Sequence, residues 1–152
     1  MADLIVRHVT QPGDAAELAP RLRAEDRAEV LALGRDPLEE LEDSVARSAE
    51  AFTWRLGDEI VAMAGVNPTT AIGTTAVPWM LGSDLIPRNR RYFVPESRRV
   101  VDRWQAMWPR LVNVVDAEYR AAVRWLRHLG FTMTGPVPIA QGMFWIAERE
   151  RA

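Results

Sequence analysis

The chain contains no cysteine and no lysine, and only two histidines, His8 and His128. Without thiols it can form no disulfide, no thiolate nucleophile and no cysteine metal site. The histidines stand far apart with no ligand spacing around them, so no metal is expected. The absence of lysine leaves all 19 basic charges to arginine, for which a GC-rich coding bias is the simplest account. Against 21 acidic residues they give a formal charge of −2, so no overall field draws the chain to nucleic acid or a membrane. Long apolar runs are missing too. The opening MADLIVRHVT is broken by Arg7 and is too short for a signal-peptide core. Nothing approaches the ~18 apolar residues of a membrane span. These absences lead to the expectation of a cytosolic protein.

What is present is the composition of a folded domain. At 48% hydrophobic and 26% charged, the chain has too much apolar content for global disorder. Its 152 residues, without a low-complexity run, fit one compact domain, 1–152. A first strand is expected over 2–9, and Asp14 is placed to cap a helix that Pro20 cuts short. Leu22, Val30 and Leu33 give a second helical piece ending at Gly34, and Asp36-Pro37 starts a third. A hairpin follows, with strands 51–56 and 60–66 joined by Gly57-Asp58. Strand 76–81 contains Pro78, which leaves a gap in its hydrogen-bond ladder.

Residues 77–131 organise the rest. Val100, Val101, Trp104, Met107 and Trp108 repeat at helical spacing, and Pro95 is expected to open that helix, with 88–94 a separate turn. Leu111 to Val115 reads as a buried strand. Ala122, Leu126 and Leu129 form the apolar stripe of a last helix, stopped by Gly130 and closed by Phe131. The tail, with Pro136, Pro138 and Met143 to Ile146, supplies one further strand. The expected class is α/β (α+β mixed): a mixed, mostly antiparallel sheet with helices on both faces.

This order of elements resembles the GNAT superfamily of acyl-CoA-dependent N-acyltransferases, across nearly the whole chain. The closest variant in pattern is the T7-type phage internal virion protein A, or virion-assembly, group. Its Trp-x-x-x-Ser-Asp strand end, basic helix and late strand-helix are matched by Trp79 to Asp84, Arg88 to Trp104 and Leu111 to Phe131. The resemblance implies a sheet splayed between strands 76–82 and 111–116. It also implies acyl-CoA contacts at Leu81, Ser83, Arg88, Arg90 and Arg91.

Set beside that family's pattern, the chemical positions depart. The phosphate turn, Arg88 to Phe93, has Arg91 and Phe93 where small residues let a phosphate approach the main chain. Guanidinium groups can bind phosphate in their stead, or the turn is a solvated basic helix start. Strand 76–81 carries no ionisable side chain, and Leu126 stands where a tyrosine would donate a proton. Tyr119, Asp84 and Asp116 are the remaining candidates for proton transfer; the two aspartates also suit helix capping and turns. Arg120, Arg124 and Arg127 form a basic row that is either a solvated face or a docking face for an acidic partner. It is too short for a nucleic-acid footprint.

Two functions follow. One is a phage protein of GNAT fold acting in virion assembly or as an accessory, with degenerate acyl-CoA and catalytic motifs. Its partners would be phage structural or host proteins, in the host cytoplasm or the virion. The other is an active acetyl-CoA-dependent N-acetyltransferase for a small amine or a protein N-terminus.

Overall fold

Seven strands form one sheet in the order β1-β2-β3-β4-β5-β7-β6, in a computed structural model that describes residues 4–152. In chain order these are β1 (Ile5–Val9), β2 (Glu50–Leu56), β3 (Glu59–Pro68), β4 (Thr75–Gly82), β5 (Arg110–Asp116), β6 (Thr132–Ile139) and β7 (Gly142–Glu150). Helices α1 (Asp14–Leu18), α2 (Ala24–Ala32) and α3 (Pro37–Arg47) lie between β1 and β2. A short α4 (Leu85–Arg88) and the long α5 (Arg90–Met107) join β4 to β5, and α6 (Arg120–His128) joins β5 to β6.

The alternation of the strands divides the apolar side chains between two layers. On one face Ile60, Met63 and Leu81 pack with Leu18, Val30 and Leu41 of α1, α2 and α3. On the other, Trp54, Ala64 and Ala147 meet Phe93, Val100 and Trp104 of α5 and Leu129 beyond α6. Every ladder is antiparallel except that of β4 with β5. That parallel ladder holds only Thr75 to Arg110 and Ala76 to Leu111, after which the strands part. Pro78, two residues on, has no N–H to continue it. The Asn113 side-chain amide reaches across the gap and donates to the Pro78 carbonyl instead. The splay expected between 76–82 and 111–116 is therefore present.

Several sequence expectations need correction. Asp14 does not cap α1: Gly13 holds that position without a side-chain bond, and the Asp14 carboxylate accepts from the Gln11 N–H and the Thr53 hydroxyl. Pro95 does not open a helix: α5 runs unbroken from Arg90 to Met107 with Pro95 inside it. Phe93, Glu96 and Ser97 on either side are buried, so packing holds the helix together across the missing hydrogen bond. Pro95→Ala restores that N–H at an exposed position and is expected to raise stability by about 1–3 kcal/mol. An unchanged urea midpoint would show that the proline costs nothing there. The tail forms two strands rather than one. β6, with Pro136 and Pro138, lies at the edge of the sheet, where a strand with missing donors is tolerated. Its partner β7 slots between it and β5. The last helix closes as expected: Gly130 is left-handed at φ 94°, its N–H donates to Arg127 O, and that of Phe131 donates to Leu126 O.

Candidate active site

Where β4 and β5 part, a cavity of about 640 Å³ passes through the sheet. On the α2 side its wall carries Arg23, Asp26 and Glu29; on the other it runs under α5 and α6. α2 lies across this opening like a bar. At its start the Arg23 N–H donates to Gly82 O at 2.9 Å. The Gly82 N–H donates to the Asp26 carboxylate at 2.7 Å. Midway, the Asp116 N–H donates to Glu29 Oε2 at 2.8 Å, and at its end the Gln141 N–H donates to Ala32 O. One helix thus ties the free ends of β4 and β5 and the β6–β7 turn together.

The acids on this bar have different environments. Asp26 is buried and receives a forked hydrogen bond from Arg23 besides the Gly82 N–H, so its negative charge is fully engaged. Glu29 has a single main-chain donor. Burial, then the nearby carboxylates of Asp26 and Asp116, push its pKa up to about 7, with the Asp116 N–H and Arg23 opposing. A cleft carboxyl that exchanges its proton near neutrality is what a general base requires.

Across the gap, the β5-facing edge of β4 is left without a strand partner beyond Ala76. Pro78 O accepts from Asn113, and Gly82 N–H donates to Asp26, so both point to the β5 side. Met80 lies between them with the same parity, and its N–H and C=O face the opening beyond the last β4–β5 pair.

No family model and no curated protein matches the sequence. Solved structures do match in shape. The spermidine N-acetyltransferase of Vibrio cholerae, in complex with CoA and spermine, superposes with a TM-score of 0.69 at 12% identity, over 96% of this chain and 95% of that one. The GNAT domain of S. lividans PAT gives 0.70 at 14%, over 95% and 89%. A GNAT-family acetyltransferase of Streptococcus pneumoniae gives 0.65 at 14%, over 98% and 100%. The fold is that of the GNAT acetyltransferases. At these identities the likeness is one of fold alone.

Within this GNAT fold the residues singled out from sequence fall into distinct places. Tyr119 lies in the cavity wall beside Asp26, with the Arg23 guanidinium 5.8 Å from its ring centroid. Burial and the Asp26 charge raise its pKa well beyond the ordinary phenol value, so it keeps its proton. Asp116 does not cap α6. Its carboxylate accepts from the Glu118 N–H in a turn, and Tyr119 occupies the cap position without a side-chain bond. Asp84 is exposed at the start of α4, also without a side-chain cap bond, and is not among the cavity-lining residues.

The residues named for cofactor contact also divide. The Leu81 side chain packs on the α1–α3 face, and the Ser83 hydroxyl donates to the Ile60 and Val61 carbonyls while accepting from Leu85 N–H. Arg88, Arg90 and Arg91 are exposed around the N-terminus of α5, and Arg90 lines the cavity mouth. Among the described residues none of the three forms an ion pair, and the first turn of α5 has no acid. Cations at the positive end of a helix dipole are unfavourable unless an anion joins them. Phe93 turns inward onto Trp54, ring centroids 5.7 Å apart. Its bulk is absorbed by the core instead of standing at the helix mouth. Trp79 lines the cavity and donates to Ser48 Oγ; Trp145 is not among the lining residues.

Glu29 escaped the sequence reading. The signal was available: Leu22, Asp26, Glu29, Val30 and Leu33 share one helical face, so two acids lie on the side the helix buries.

Proposed function

We propose that the protein is an acyl-CoA-dependent N-acyltransferase acting on an amine. The observation that carries this is the cavity at the β4–β5 splay, with the unpaired Met80 main chain facing it and Glu29 on its α2 wall. The α5 N-terminus with Arg88, Arg90 and Arg91 suits the pyrophosphate of CoA through guanidinium forks and the N–H groups of the first turn. The Met80 N–H and C=O suit the amides of the pantetheine arm and the thioester oxygen. Acyl-CoA would supply the activated acyl group. The residues of this chain do the rest.

Glu29, ionised, accepts a proton from the amine as its nitrogen bonds to the thioester carbon. The Met80 N–H donates to the carbonyl oxygen as negative charge grows there. When the carbon–sulfur bond breaks, the proton on Glu29 is available to the departing thiolate, which leaves as the CoA thiol beside the new amide. Tyr119 holds its proton more tightly than an ordinary phenol, and Glu29 serves the thiolate in its place.

Calorimetry with acetyl-CoA tests the reading: micromolar binding is expected, and Arg90→Ala should weaken it about tenfold by removing a charged phosphate contact. One observation favours a second reading, a non-catalytic role such as virion assembly: Leu126 lies in the cavity wall where the resemblance puts a phenol. That reading otherwise rests on the Trp79 to Asp84 strand end, on Arg91 and Phe93 in the phosphate turn and on a strand 76–81 without an ionisable side chain. Absence of binding by any acyl-CoA would favour it and remove the first.

A further inference from the structure

The cavity does not stop at the opening. Beyond Met80 it continues between the sheet and α5–α6, where Trp54, Ala64, Val100, Trp104 and Ala147 line it. The cause lies in side-chain size. On this face the sheet presents Met80 at the opening and then only Ala64 from β3, Pro78 from β4 and Ala147 from β7 beyond it, so the helices bridge over a hollow that larger residues at the alanines would fill. The alanines are among the most buried residues of the chain, at 4% and 0% exposure, so the hollow belongs to the interior.

Its polar atoms are already satisfied. The Trp54 indole N–H donates to Glu96 at 3.2 Å, that of Trp104 to Glu50 at 2.9 Å and that of Trp125 to Ser97 at 3.2 Å. Ordered water needs two to four polar partners, and this arm offers it none from these side chains. The amides of a pantetheine arm fare no better there; the main chain of the splay is where they find partners. Hydrocarbon is what the arm suits.

Resting on the acyltransferase reading above, we infer that the donor carries an acyl chain longer than acetyl, held in this apolar arm between the sheet and α5–α6. The chain enters from the thioester point at Met80 and runs toward Ala147 and Trp104. Each methylene leaves water for an apolar wall, worth about a threefold gain in affinity per group. Acetyl reaches none of this wall. The inner residues therefore select donor length, while Glu29 and the α2 side meet the amine.

The test is a titration of the whole protein with acetyl-, butyryl-, hexanoyl- and octanoyl-CoA, read by calorimetry. Affinity is expected to climb from acetyl to hexanoyl by at least tenfold. Ala147→Leu, which fills the arm, should bring the hexanoyl-to-acetyl ratio down toward one. Should that variant not fold, the length series on the unmodified protein still decides. Binding of acetyl-CoA with flat or falling affinity for longer chains overturns this inference and leaves the acyltransferase reading standing. No binding by any of the four overturns both.

Discussion

Glu29→Gln is expected to cost about 100-fold or more in acyl-transfer rate, the usual contribution of a positioned general base, while making the folded protein more stable above neutral pH. Both effects come from one carboxyl. In the folded chain Glu29 keeps its proton up to about pH 7; in the unfolded chain it releases it near the ordinary value of 4.5. Its contribution to stability is thus fully present below pH 4.5 and is lost as the pH rises through 7. Glutamine has no proton to lose, and its side-chain oxygen still accepts from the Asp116 N–H. At pH 8 the variant should exceed the parent by up to roughly 3 kcal/mol, and near pH 5 the two should be close. Urea unfolding at both pH values measures this. In the unmodified protein, kcat/KM for the proposed acyl transfer should rise with pH through about 7 as Glu29 becomes the base. A glutamine variant that keeps its rate would remove Glu29 from the chemistry, whatever its stability did.

Asp26→Ala should destabilise the fold by about 3–5 kcal/mol, because it strips a buried charge pair of one partner. The half-buried Arg23 guanidinium would lose its forked acceptor, and the buried Gly82 N–H its only side-chain acceptor. The damage should concentrate where α2 meets β4, so amide exchange at Gly82 should accelerate more than exchange in β2 or β3. Asp26→Asn keeps an oxygen for Gly82 and should cost less. It also removes one of the negative charges that raise Glu29, so the pH–rate profile should move toward lower pH. An alanine variant as stable as the parent would mean that the Asp26 carboxylate adds nothing to what holds α2.

The acids of α2 show why sequence and structure answered different questions. Helix positions, strand alternation and the Gly130-Phe131 stop follow from local rules: capping, periodicity and the left-handed freedom of glycine. They could be read one residue at a time, and the α/β order came from them; the splay was what the resemblance to the GNAT superfamily implied. Pro95 shows the limit of such rules. Locally a proline starts a helix; here buried neighbours on both sides of it carry α5 through. The tail failed for a similar reason, since Pro136 and Pro138 argue against a strand unless that strand has an edge to occupy.

The site itself was the least legible part. Arg88, Arg90 and Arg91 announce themselves as a basic turn ahead of a helix; in the structure Arg88 ends α4, and Arg90 and Arg91 open α5. Glu29 could not be ranked above the other acids of its helix from the chain alone. Its shifted proton affinity arises first from burial, then from Asp26 one turn before it and Asp116 far along the chain, and only folding brings these together.

By itself, then, the sequence determined the order of the main elements up to the tail, the break in the β4 ladder at Pro78 and the run of arginines that follows β4, because each depends on residues close in the chain. The tertiary structure alone decided which carboxyl faces the opening and how deep the cavity runs. Those depend on distances between α2, β4, β5 and β7, and burial is a property of the assembled layers, not of any one of them.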